Sequence, residues 1–241
     1  MPPGTTVYAV GDVHGQMALL EQLIDRIRND ASRQPGQRQV IVFVGDYIDR
    51  GPESAAVIDY LIRGLSSRFE AHCLMGNHEH ALLRFLCDPT ALPHWLMNGA
   101  AATLQSYGVE PVDEAAGEEA FTSCRDALLA AMPASHRAFF DSLPLTVEIG
   151  DYLFVHAGIR PGIPVAEQST HDLLWIREGF LDCKKDLGPI VVHGHTPHPE
   201  PVVMPNRIGI DTGAWAYGCL TALRLEGTAR TFMQVRMDEI A

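Results

Sequence analysis

Basic residues are few: 18 lysines and arginines stand against 30 aspartates and glutamates, a formal net charge of −12 over 241 residues. That balance argues against a nucleic-acid surface. Cysteine is also sparse. The five residues (73, 87, 124, 183 and 219) are an odd number and include no Cys-x-x-Cys pair. Reduced thiols filling a core in a cytoplasmic protein fit this count better than a disulfide frame does. No window approaches the roughly 18 apolar residues of a membrane-spanning helix. The N-terminus lacks the charged start and long apolar stretch of a secretory signal, so no membrane partner is expected. Internal repeats and low-complexity tracts are missing as well. What is left is a globular composition, 46% hydrophobic and 20% charged, suited to one domain with a small insertion.

What is present is a repeated local pattern. Val40 to Val44 is an unbroken apolar run that fits a strand buried on both faces, and it ends in Asp46, Asp49 and Arg50. Charges at the mouth of a buried strand are costly to desolvate unless they bind something. The pattern recurs. Val7–Val10 leads to Gly11-Asp12-Val13-His14-Gly15, and Ala71–Met75 to Gly76-Asn77-His78-Glu79. Tyr152–Val155 leads to His156, and Ile190–Val192 to His193-Gly194-His195. In α/β folds the C-terminal edge of the strands is where sites sit.

Between these runs, Leu19, Leu20, Leu23, Ile24 and Ile27 have helical spacing, as do Val57, Ile58, Leu61, Ile62 and Leu65 after Pro52. The chain therefore opens β–α–β–α–β with parallel pairing. From Asp88 to Leu143 it is alanine-rich and reads as helices over 94–107, 118–131 and 135–142, an insertion beside or over the strand ends. Leu145–Ile149 and Tyr152–Val155 read as a hairpin, and 172–180 as a short helix or turn. Strands are expected at 202–203, 208–210, 220–225 and 231–236. Together these predict an α/β fold with a sheet-on-sheet core flanked by helices, the second half forming a mostly β sheet of its own.

Asp12, His14, Asp46, Asn77, His156 and His195 form one candidate set. Mixed nitrogen and oxygen donors without thiolate suit Mn²⁺, Fe or Zn²⁺. Six donors exceed the need of one open catalytic ion, so two ions are expected, with Asp46 on the central strand as the bridge. Such a pair activates water for in-line displacement at phosphorus.

The blocks GDVHG (11–15), GDYIDRG (45–51), GNHE (76–79), VHAG (155–158) and HGHT (193–196) resemble the signatures of the PPP-type phosphoprotein phosphatases, within the calcineurin-like metallophosphoesterases. DTGAW (211–215) is a weaker match. The resemblance implies a two-sheet sandwich with a dinuclear metal centre, Mn²⁺ first among the candidates. It puts Asp12, His14 and Asp46 on one ion and Asp46, Asn77, His156 and His195 on the other. His78 corresponds to the general acid, paired with Asp49. A carboxylate so placed fixes the imidazole tautomer and raises its basicity. Arg50 and Arg177 match the phosphate clamp, with Asn77 beside them. The last block has Pro197 where many relatives carry a second metal histidine, so His198 is read as a non-ligand and His193 as supporting or structural. Asp211 is read either as orienting a ligand or as structural. The remaining histidines (72, 80, 94, 136 and 171) are read as surface or core.

The expected reaction is hydrolysis of a phosphorylated protein (serine, threonine or tyrosine) or a small phosphoester. The segment His94–Gly99, HWLMNG, resembles the WLxNG stretch of bacterial and phage protein phosphatases, with Ala100 where a second glycine is expected. It favours a protein substrate over the alternative, a symmetrical diadenosine tetraphosphate. The tail that regulates eukaryotic relatives is missing, so no regulatory subunit is implied. A non-catalytic phosphopeptide-binding scaffold would have lost a ligand or the acid, and all are present.

Overall fold

Alternation along two strands explains the layers. Strands β1 (Thr5–Val10) and β2 (Arg38–Phe43) are buried almost throughout. Tyr8, Val10, Ile41 and Phe43 point into one apolar cluster, while Val7, Ala9, Val40 and Val42 point into another. The two-residue period of a strand sends neighbours to opposite faces, so a strand apolar at every position needs cover on both. One cover is helical, from α1 (Met17–Ser32), α2 (Ser54–Arg63) and α3 (Asn77–Cys87). The other is a second sheet, which contributes Phe154, Val192 and Ile208.

The computed structural model describes residues 1–65 and 67–240. After β3 (Glu70–Cys73) and α3 come α4 (Leu92–Leu96), α5 (Ala100–Ser106), α6 (Glu118–Ala131) and α7 (Ala134–Asp141). Then follow β4 (Thr146–Ile149), β5 (Tyr152–Val155), α8 (Thr170–Trp175), β6 (Ile190–His193), β7 (Val202–Val203), β8 (Arg207–Gly209), α9 (Ala214–Tyr217), β9 (Cys219–Glu226) and β10 (Ala229–Arg236). The two five-stranded sheets run β10-β9-β1-β2-β3 and β4-β5-β6-β8-β7. The β1–β2 and β2–β3 pairs are parallel, as the helical crossovers require.

The sandwich is as expected, but three details differ. The last two strands do not extend the second sheet. β9 pairs antiparallel with β1, Val7 opposite Leu225, and so completes the first sheet. The helix expected over 94–107 is two helices. Gly99 between them is left-handed (φ 97°), which ends α4 as a C-terminal glycine does, and its carbonyl accepts the Arg50 N–H at 3.1 Å. Cys87 is exposed at the end of α3, so the core reading of the thiols holds for Cys124 and Cys219 but not for it.

Helices α4 to α7 are not a separate body. Trp95, Leu104, Phe121, Leu128 and Phe140 share one apolar cluster with Leu82 and Phe85 of α3. Among the described residues no helix is long and apolar enough to cross a membrane.

Candidate active site

Every non-glycine residue with positive φ among the described residues belongs to the predicted site: His14 (46°), Asp46 (54°), Asp49 (71°), Arg50 (70°) and His195 (65°). Left-handed backbone costs an L-residue of order 1 kcal/mol or more. The loops after β1, β2 and β6 accept that cost five times over, and the side chains turn toward one point, the cavity that His14, Asp46, Arg50 and His195 line, with Asp49 behind His78.

Asp46 stands at that point. Donor atoms of His14, Asp46 and His78 lie within 4.8 Å of one another, and so do those of Asp46, His156 and His195. The tautomers follow from the neighbours. His14 Nδ1 is 2.8 Å from the Ile48 carbonyl and His156 Nδ1 is 2.9 Å from that of Val44, so each Nδ1 carries the hydrogen and each Nε2 a lone pair. His156 Nε2 faces Asn77 Oδ1 at 2.8 Å and Asp46 Oδ2 at 3.4 Å, and His14 Nε2 faces Asp46 Oδ2 at 3.6 Å. These are acceptors turned on acceptors. His195 Nε2 and Asp12 Oδ1 are buried without a hydrogen-bond partner among the described residues. Such an arrangement is costly unless cations lie among the lone pairs, and the nitrogen and oxygen donors suit a divalent ion.

Electrostatics agree with that fit. Burial first, then neighbouring positive charge, lowers His14 to about 3 and His195 to about 2. Burial also lowers His156. Neutral imidazoles with free lone pairs are what metal ligation needs. Burial alone would raise Asp46, but the surrounding imidazoles outweigh it and hold the carboxyl below its ordinary range.

Asp12 is brought in at one remove. Its Oδ2 accepts the His195 N–H at 2.9 Å, and its Oδ1 lies so close to Gly194 that a Cβ there would come within 1.9 Å. Glycine is therefore required in the last block for Asp12 to reach the cluster.

His78 and Asp49 form a buried pair, Nδ1 to Oδ2 at 2.7 Å. Burial alone would lower His78, yet the carboxylates of Asp46 and Asp49 prevail and raise it. Asp49 is held by residues that sequence reasoning missed. Trp95 Nε1 donates to Oδ2 at 2.9 Å and Thr103 Oγ1 to Oδ1 at 2.6 Å. Glu79 was missed too. Its carboxylate accepts the N–H groups of Gly76, Asp46 and Tyr47 at 2.8–3.0 Å, locking the turn after β2 against the start of α3.

Arg50 and Arg177 line a cavity of about 90 Å³ together with His14, His78, His195 and Asp211. Arg177 Nη2 donates to the His195 carbonyl at 3.0 Å, and the Arg50 guanidinium stacks 4.5 Å over the Trp215 ring. Asp211 accepts the Gly213 N–H at 3.0 Å, and burial pushes its carboxyl up to about 6. His193 is buried elsewhere, beside Arg207 at 3.3 Å, and His198 is exposed, bonded to the Glu200 carbonyl.

Comparison with known proteins agrees with this geometry. The profile of the calcineurin-like phosphoesterases matches residues 5–224. The bis(5'-nucleosyl)-tetraphosphatase PrpE (asymmetrical) of Anoxybacillus flavithermus is 29% identical over 236 residues, covering 89% of this chain and 88% of that protein. The corresponding Bacillus thuringiensis protein is 27% identical with the same coverage. Among solved structures, the cold-active protein-tyrosine phosphatase of a Shewanella species shares the fold at a TM-score of 0.58 and 16% identity, covering 98% of this chain and 83% of that one. With a family profile spanning nearly its whole length and a cluster of lone-pair donors at the strand ends, this chain belongs to the calcineurin-like phosphoesterase family.

Proposed function

We propose that this protein is a divalent-metal-dependent hydrolase of dinucleoside tetraphosphates, the diadenosine tetraphosphate class, cleaving asymmetrically. The observation that carries hydrolysis is the meeting of two donor groups at Asp46. The choice of substrate is supported by the relatives, which are named bis(5'-nucleosyl)-tetraphosphatases. This reverses the order of preference drawn from the sequence. The HWLMNG segment favours a phosphoprotein through its resemblance to the WLxNG stretch of bacterial and phage protein phosphatases, in a segment expected beside or over the strand ends. Its Trp95 is fully buried with Nε1 on Asp49, so the tryptophan that carries the resemblance supports the Asp49–His78 pair, a role independent of which phosphoester is cleaved.

In this reading Asp12, His14 and Asp46 hold one ion, and Asp46, Asn77, His156 and His195 the other. Mn²⁺ suits the donors, as do Fe and Zn²⁺. Bound divalent ions supply Lewis acidity, acidifying water and offsetting charge on phosphoryl oxygens. Arg50 and Arg177 grip those oxygens with forked donors, and Asn77 helps orient them. Asp49 fixes His78 with its Nδ1 hydrogen-bonded, so that Nε2 is free to pass a proton to the departing oxygen.

The test is a rate comparison, with Mn²⁺ present, between diadenosine tetraphosphate and serine-, threonine- and tyrosine-phosphorylated peptides, with the nucleotide products identified. Faster turnover of the dinucleotide, giving a nucleoside triphosphate and a nucleoside monophosphate, is expected. Two equal diphosphates would make the cleavage symmetrical. Preference for the peptides would restore the protein-phosphatase reading.

A further inference from the structure

A larger cavity adjoins the one that holds the proposed chemistry. It is a groove of about 400 Å³ between α3 and α8, and the Trp175 ring is a wall of both. Leu174 and Ala81 give the groove apolar sides, and His80, His94 and Arg84 give it polar ones. It continues past Arg84 and His94 into a shallower cleft of about 260 Å³ that reaches Asp88.

Two features describe what would fill it. The first is shape. From the cluster outward, His195, Trp175 and His94 form a chain of rings with centroids 6.0 Å apart at each step, leading from the reacting centre to the groove. A flat ligand can lie along such surfaces, and the volume is that of an ordinary small-molecule site. The second is charge. In a protein of net charge −12, the path carries Arg50, Arg177 and Arg84. The Arg84 side chain makes no hydrogen bond and no close ion pair among the described residues, and its charge acts on Asp88 and His80. A guanidinium without a hydrogen-bonded partner, in a groove beside a phosphoryl site, is suited to further phosphate oxygens.

We infer that this groove binds a nucleoside end of the dinucleoside polyphosphate, with the base against Trp175 and Leu174 and Arg84 meeting the phosphate chain that leads back to the Asp46 centre. The inference rests on the proposed substrate class and adds the subsite that selects it.

Arg84→Glu and His94→Ala test it, since both side chains are exposed and neither supports the core. For each variant and the parent, kcat/KM is measured with Mn²⁺ on diadenosine tetraphosphate, p-nitrophenyl phosphate and a phosphotyrosine peptide. The ratio of the dinucleotide value to the p-nitrophenyl phosphate value should fall about ten-fold in Arg84→Glu and several-fold in His94→Ala, the loss residing in KM. Adenosine 5'-monophosphate, as an inhibitor of p-nitrophenyl phosphate hydrolysis, should weaken in parallel. If the parent hydrolyses the dinucleotide and the ratio does not move, the groove is not the nucleoside subsite although the proposed function stands. If only the peptide ratio falls, the groove serves a peptide and the inference fails. If the parent does not hydrolyse the dinucleotide, both fall together.

Discussion

The strand-end loops and the helical segment 88–143 solve opposite problems. The loops carry the charge: Asp12, His14, Asp46, Asp49 and His195 are buried, and four of them sit on left-handed backbone. Strain and desolvation both oppose such loops, which are tied to one another by backbone hydrogen bonds, as from the Val13 and His14 N–H groups to the Asp46 carbonyl, and by Glu79. The helical segment is the reverse, with regular backbone around an apolar interior. It meets the loops through Trp95 and Thr103 on Asp49, the Gly99 carbonyl on Arg50 and the Phe139 ring on Tyr47. Strained, charged backbone thus lies in one region and regular, apolar support for it in the other. Substitutions in the loops should remove function outright, and those in the helices should detune it.

The largest effect is expected at the point both donor groups share. Asp46→Asn removes the common anion while keeping a residue that tolerates left-handed backbone, so the fold should persist. Turnover of p-nitrophenyl phosphate should drop to background and bound manganese, by elemental analysis, should fall. Near-normal turnover would break the idea that the loops generate the site around Asp46. Next comes His78→Asn, expected to cut turnover by ~10²–10⁴ with bound metal unchanged. His78 also lies within donor distance of His14 and Asp46, so loss of metal in this variant would move it from the acid to the ligand set. Arg50→Ala should be milder. Removing one charge-assisted contact, worth about 1.5–3 kcal/mol, should raise the inhibition constant of inorganic phosphate by about ten- to a hundred-fold. An unchanged constant would leave Arg50 to its stacking on Trp215 and its contact with His14.

The same division decides what could be read without coordinates. The strands were legible because runs such as Val40–Val44 must be covered on both faces, and the donors because aspartate, asparagine and histidine recur after each run. The sheet that each strand joins was not legible. β9 looks like any strand in sequence, and its pairing with β1 bridges more than 200 residues, as in Thr6 opposite Glu226. The supports of Asp49 were hidden for a similar reason. Trp95 and Thr103 lie 46 and 54 residues from it, and helical periodicity marks them only as buried. Glu79 did leave a signal. An acid at the third helical position behind Gly76 is the pattern of a residue that folds back on the helix start, and here it also ties down Asp46 and Tyr47.

The smallest effect tests the holding side of the comparison. Trp95→Phe keeps a large ring in the core beside Phe85 but deletes the N–H that reaches Asp49. Asp49 still receives the Thr103 hydroxyl, so its loss is one hydrogen bond among several, about 1 kcal/mol or a five- to ten-fold drop in kcat. A purely structural tryptophan would give the same drop without changing how activity depends on pH. A positioning tryptophan would not. With one donor fewer, more negative charge stays on the Asp49 carboxylate facing His78, which favours the imidazolium form. The alkaline limb, where His78 gives up its proton and activity falls, should therefore move to higher pH. The acid state below that limb should be unaffected, because there His78 is protonated in both proteins. A pH profile of kcat that falls in height without shifting would reduce Trp95 to packing, and the helical segment would then hold the loops by shape alone.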